Sequence, residues 1–141
     1  MNAAVAAAAA LALAGGIAQP ADAGYCLRFV REVVEHAFEW PDRELYARCW
    51  TRRVEENATA EPWARDLERS LRERGYAVTV PRAGDLVFDF TYAPVGHVGV
   101  MLTDDMVLDV YPVGGVPTLR LTPVAEWLPT TIIRLPADAC G

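Results

Sequence analysis

A chain of 141 residues is long enough to bury one core, and its 19 acidic against 13 basic side chains, net −6, give no electrostatic attraction to nucleic acid or an anionic membrane. Every basic residue is an arginine, scattered or set among carboxylates as in Arg65-Asp66-Leu67-Glu68-Arg69, so no basic patch presents a phosphate-binding face. The apolar share of 52% is ordinary for a globular domain, and the three cysteines form no CxxC pair of the kind that marks structural zinc.

Residues 1–23 form an alanine-rich run, expected as the first helix of a single domain spanning 1–141, because alanine is the strongest helix former. The same run has the look of a signal-peptide core, with Ala21-Asp22-Ala23 as a small-residue cleavage site. No basic residue precedes it, however, and cleavage there would leave Cys26 three residues from a new terminus. The run is too short and alanine-rich for a membrane span, and none is expected.

From Cys26 to Phe38, Leu27, Val30, Val34, Ala37 and Phe38 follow helical spacing, and the helix should stop before Trp40-Pro41. Residues 41–61 read as polar and irregular. Pro62 then opens a helix whose face is Trp63, Leu67 and Leu71 and which ends at Gly75. From Val78 the period becomes that of strands: Leu86 to Phe90 after the turn Pro81–Asp85, and His97 to Leu102 after the turn Ala93–Gly96. The turn Thr103-Asp104-Asp105 leads into Met106 to Tyr111, and short strands follow around Thr118–Leu121 and Thr131–Leu135. Helices first and strands after imply an α+β fold, with N-terminal helices packed on a small antiparallel sheet.

The chemistry lies in the pairing of a cysteine at a helix start with a histidine in a strand. A cysteine attacks as thiolate, which a helix N-terminus favours through its unpaired N–H groups, and a histidine supplies the base. Cys26 is the candidate nucleophile. His36 lies ten residues along the same helix, about 15 Å away, so His97 is the base. Asp109 is the candidate third residue, orienting the imidazole, provided the loop register sets it on the same face as His97. Asp104 and Asp105 are turn residues.

The Cys26 backbone N–H is available to an oxyanion; a side-chain donor would be Tyr25, which could equally be a cleft wall, or more weakly Gln19. Arg28 and Arg31 read as a solvated helix face rather than a site for acidic substrate groups. Cys49 and Cys140 read as buried free thiols, although in an exported protein they could pair and leave Cys26 free. The lone serine, Ser70, sits mid-helix with no histidine beside it, which excludes a serine hydrolase. No metal site and no cofactor are implied.

Three blocks, in order, resemble the cell-wall-cleaving cysteine peptidases of the NlpC/P60 and CHAP group: Gly24-Tyr25-Cys26-Leu27-Arg28-Phe29-Val30, Pro81-Arg82-Ala83-Gly84-Asp85-Leu86-Val87-Phe88 and Gly96-His97-Val98-Gly99-Val100. The stretch Asn57-Ala58 to Gly75-Tyr76 is similar to the helix that precedes the Gly-Asp block in CHAP-type members. The resemblance spans about Ala14 to Val110. It implies a papain-like fold, Cys26 as nucleophile, His97 as base and Asp109 at the position of the third polar residue. Aspartate departs from the histidine, asparagine, glutamine or glutamate common there, and Tyr-Cys-Leu departs from the family's Asp-Cys-Ser-Gly or Gln-Cys.

The activity so implied is hydrolysis of peptidoglycan amide bonds, as endopeptidase or N-acetylmuramoyl-L-alanine amidase, through a thioester. The partners implied are a stem peptide and a separate targeting or phage structural protein, with a place in the envelope, outside the cell or in a phage. The alternatives are a hydrolase of the same chemistry acting on a non-wall amide, such as a toxin or deamidase, and a silent domain whose cleft binds a peptide or protein.

Overall fold

The computed structural model describes residues 2–18, 26–50, 64–91 and 96–141. In chain order the elements are α1 (Asn2–Leu13), α2 (Cys26–Phe38), α3 (Glu44–Cys49), α4 (Ala64–Glu73), β1 (Ala77–Val78), β2 (Leu86–Asp89), β3 (His97–Met101), β4 (Met106–Val113), β5 (Val116–Pro123), α5 (Val124–Trp127) and β6 (Thr131–Ile133). The class is α+β: helices on a six-stranded antiparallel sheet of order β1-β6-β2-β3-β4-β5.

α1 buries Val5, Ala8, Ala9 and Ala12, one helical stripe, against α2. Small side chains at these positions let the two helices approach closely. α2 buries Leu27, Val30 and Val34 at the expected spacing, with Phe29 and Val33 widening the stripe. α4 buries Ala64, Leu67 and Leu71, and it ends as expected at Gly75, whose φ of 85° lets the Gly75 and Tyr76 N–H groups return to the last turn.

The period of two along the strands divides the sheet into two faces. Leu86, Phe88, Val98, Val100, Leu108 and Val110 meet the helices in the main core. Val87, Met101 and Val107 point the other way, under Trp127 of α5. His97 and Asp109 belong to this second face by their parity.

The Gly84-Asp85 block is a structural junction. The fully buried Asp85 carboxylate accepts hydrogen bonds from Asn2 Nδ2 at 2.7 Å, Arg82 N at 2.8 Å, and Arg134 Nε and Nη2 at 2.9 and 2.8 Å. It thereby ties α1, the turn before β2 and the end of β6 together. Gly84 has a φ of 90°, and a Cβ there would collide with the Asn2 carbonyl.

Three expectations are corrected. The irregular region 41–61 contains α3. Its Leu45 N–H is held at 3.0 Å by Glu35 Oε2 of α2, a carboxylate from another helix doing the work of a local cap. Arg31 is not solvated: its side chain is 3% exposed and bonds Glu35 Oε1 at 2.8 Å and Asp42 Oδ1 at 2.6 Å. Arg28 does lie at the surface, paired with Glu32. Cys49 and Cys140, expected as free thiols, are joined in a disulfide, which leaves Cys26 as the free cysteine.

The strand hairpin after residue 106 is also longer than expected. β4 runs on to Val113 and β5 begins at Val116, joined through Gly114 and Gly115 with φ of 58° and 81°, the positive pair a two-residue hairpin turn requires.

Candidate active site

Cys26 is the first residue of α2 and half-buried, and His97 is the first residue of β3. The thiol of Cys26 stands close enough to the His97 imidazole to favour its protonated form. On its other side the imidazole meets Asp109, with Nε2 2.7 Å from Oδ2. Since Nε2 is taken by the carboxylate, Nδ1 is the nitrogen left for the thiol. The three residues singled out in the sequence are therefore brought together, the imidazole interacting with both the thiol and the carboxylate.

The register of β3 against β4, Val100 opposite Leu108 and Met101 opposite Val107, explains the alignment. Carried back along β3, it sets His97 and Asp109 diagonally on the same face. Gly99 makes room for this: a Cβ there would stand 2.7 Å from Val107 Cγ1 and 3.3 Å from Asp109 Cβ. Gly96, with a φ of 88°, is equally constrained, since a Cβ would lie 2.6 Å from the Phe90 ring and 3.1 Å from the Arg65 backbone. Both glycines beside the base thus serve close approach of the protein's own chain.

Asp109 is completely buried, and His97 is one of three groups that bond it. Arg120 donates through Nε to Oδ1 at 3.1 Å and through Nη2 to Oδ2 at 2.7 Å, and Trp127 Nε1 donates to Oδ2 at 2.9 Å. Burial would push the Asp109 carboxyl up, but the hydrogen bonds from His97, Arg120 and Trp127 outweigh it and hold the group below the usual carboxylate range. Burial would likewise push His97 down. Its hydrogen bond to Asp109 and its interaction with the Cys26 thiol win, and the imidazole is pushed up to about 9.

A group raised on folding stabilises the native state fully below its unfolded value, ordinarily about 6.5 for histidine, and loses that contribution as pH climbs through the folded value. The stability of the wild-type domain is therefore expected to fall by about 3 kcal/mol between pH 6.5 and pH 9.5, a decline absent from His97→Ala. Urea titrations at a series of pH values check this.

Arg120 and Trp127 escaped sequence reasoning, as did the aromatic enclosure of the base. Trp127 stacks on the imidazole with centroids 5.6 Å apart and planes at 26°, and Tyr111 meets it edge-on at 5.9 Å and 84°. The Arg120 guanidinium lies 4.2 Å from the Tyr111 ring centroid. One signal was legible: a buried aspartate in a strand needs donors, and an arginine in the neighbouring apolar strand is the natural source.

A cleft of about 340 Å³ opens beside His97, walled by Tyr111, Arg120, Thr122 and Trp127, with the carboxylates of Asp89 and Glu126 at its margin. Asp89 pairs directly across from His97 in the sheet. The remaining sequence candidates divide simply. Tyr25 and Gln19, like the segment 51–63 that includes Asn57 and Trp63, lie outside the described residues. His36 is exposed along α2, away from the thiol. Among the described residues no three or more His, Cys, Asp or Glu side chains gather to hold a metal ion, and no helix is long and apolar enough to cross a membrane.

No family model, curated protein or solved structure matches this chain. Its class is defined by its own structure: an α+β domain in which a strand histidine, bonded to a buried aspartate and close to a helix-start cysteine, lines a cleft.

Proposed function

We propose that this domain is a cysteine hydrolase of papain-like, NlpC/P60-CHAP type that cleaves amide bonds of bacterial peptidoglycan. The observation that carries the reading is the grouping of Cys26, His97 and Asp109, with the imidazole bonded to a buried carboxylate and influenced by the neighbouring thiol. In this reaction the Cys26 thiolate attacks the amide carbon, and the oxyanion is met by the Cys26 backbone N–H at the start of α2. His97 imidazolium returns its proton to the leaving amine as the C–N bond breaks, leaving a thioester. A water molecule deprotonated by His97 then hydrolyses the thioester and restores the thiol. Asp109 stays ionised throughout and holds the imidazole in one tautomer.

The Cys49–Cys140 disulfide supports work in an oxidising compartment, outside the cytoplasm, where such bonds persist. With a net charge of −6, docking on an anionic wall falls to the cleft or to a separate targeting protein.

Two measurements test the reading. Alkylation of Cys26 at pH 6, followed by peptide mass spectrometry, is expected to be rapid in the wild type and at least tenfold slower in His97→Ala. Purified sacculi are expected to release muropeptides with new amine ends, and Cys26→Ala to release none. Equal labelling in both proteins sinks the catalytic pair. A working pair with untouched sacculi moves the substrate to a different amide.

A further inference from the structure

We propose that Trp127 is the positioning residue of the candidate site, one indole holding His97 and Asp109 together, with Arg120 closing the hold from the neighbouring strand. This rests on the reading of Cys26 and His97 as a working pair. The geometry is specific. Trp127 Nε1 donates at 2.9 Å to Asp109 Oδ2, the same oxygen that stands 2.7 Å from His97 Nε2, while the ring of that indole stacks on the imidazole. A single side chain therefore fixes both ends of one hydrogen bond.

The chemistry of indole suits the task. Its N–H donates and accepts nothing, so it favours an acceptor, and Asp109 is an acceptor on both oxygens only while ionised. The ring, 8% exposed, covers the flank of the imidazole and keeps water from the His97–Asp109 bond. The backbone that carries it is pinned. α5 is a single turn whose first N–H, on Val124, bonds the Asp105 carbonyl at 2.7 Å, and whose end is closed by Leu128 N–H to the Val124 carbonyl at 3.0 Å. Leu128 adopts a φ of 54°, which turns the chain sharply back toward β6. Arg120, paired in register with Asp109, supplies the other two donors.

The charged and titratable groups around His97 come from every element packed on it: Cys26 from α2, Asp89 from β2, Asp109 and Tyr111 from β4, Arg120 from β5 and Glu126 from α5. Trp127 is the uncharged member that touches both His97 and Asp109.

The experiment uses the full chain with Trp127→Phe, which keeps an aromatic ring and deletes the N–H, and Trp127→Leu, which removes both. His97 is followed by NMR titration and Cys26 by alkylation with iodoacetamide at pH 6. In Trp127→Phe the His97 midpoint is expected to move by about one pH unit, and alkylation to slow about tenfold because the imidazole is no longer held toward the thiol. Trp127→Leu should exceed both effects. Should either indole variant fail to fold, Arg120→Lys, which keeps the charge but loses the two-point bond to Asp109, should move both readouts the same way. A purely packing role lowers the melting temperature and leaves the His97 midpoint and the folded-state alkylation rate at wild-type values; that result in the variants that fold overturns the proposal. Failure of the underlying reading is separate: it shows as wild-type alkylation that does not depend on His97.

Discussion

Asp109→Ala is expected to destabilise the domain by about 3 kcal/mol and to slow hydrolysis about 10³-fold, two effects with different causes. The loss of stability arises because the carboxylate is completely buried and accepts from three side chains. Removing one partner of a buried ionic cluster leaves the others desolvated and unpaired, which ordinarily costs about 3–5 kcal/mol. The lower end applies because the Arg120 side chain is 38% exposed and can turn to water, whereas the Trp127 N–H cannot. The loss of rate arises because the imidazole, deprived of its Nε2 partner, no longer holds one tautomer or one ring plane.

Asp109→Asn separates the two. It keeps the shape but places an amide among donors, so at most one oxygen still accepts. Its stability should fall between wild type and Asp109→Ala, while its rate should be nearly as low as that of Asp109→Ala. Urea unfolding beside initial rates on sacculi reads both. A variant that is folded, stable and fully active would remove Asp109 from the site.

The legibility of this site in the sequence follows the range over which each interaction is decided. Cys26 at a helix start needed only the local apolar spacing, and the helix runs from Cys26 to Phe38 as expected. His97 and Asp109 are linked by one short turn, so parity along two adjacent strands sufficed to suggest the pair; only the register remained open, and Val100 opposite Leu108 settles it. Beyond that turn the information becomes tertiary. Arg120 reaches Asp109 only through the pairing of β5 with β4, which depends on where Gly114 and Gly115 place the hairpin turn. Trp127 reaches it only because a one-turn helix, too short to leave a periodic trace, follows β5. The same holds for α3. Its start is satisfied by Glu35, a residue ten positions upstream whose role no local capping rule reveals. Arg31 was misread for the related reason that its partners, Glu35 and Asp42, bury it from two sides.

Replacing both Cys49 and Cys140 by alanine is expected to lower the stability by about 4 kcal/mol, the second large effect. The bridge spans a sequence separation of 91 residues, and closing so long a loop in the unfolded chain removes conformational entropy worth about 4–5 kcal/mol on the loop-closure account. Local contacts replace little of this in the folded state. Cys49, completely buried, ends α3, and the C-terminal tail is otherwise held by Ala139 in the core and by the Cys140 N–H bonding Tyr76 Oη at 3.0 Å. The site itself sits elsewhere. Cys26 and His97 are fixed by α2 packed on β3 and β4, contacts the bridge does not make. The double variant, which has Cys26 as its single thiol, should therefore keep wild-type alkylation of Cys26 at pH 6 while its urea midpoint drops. A loss under about 1 kcal/mol would mean that the reduced, unfolded chain is already compact enough to keep the two ends near each other. Lost alkylation in a protein that remains folded would mean that α3 and the tail brace the start of α2, and that the bridge belongs to the site as well as to the scaffold.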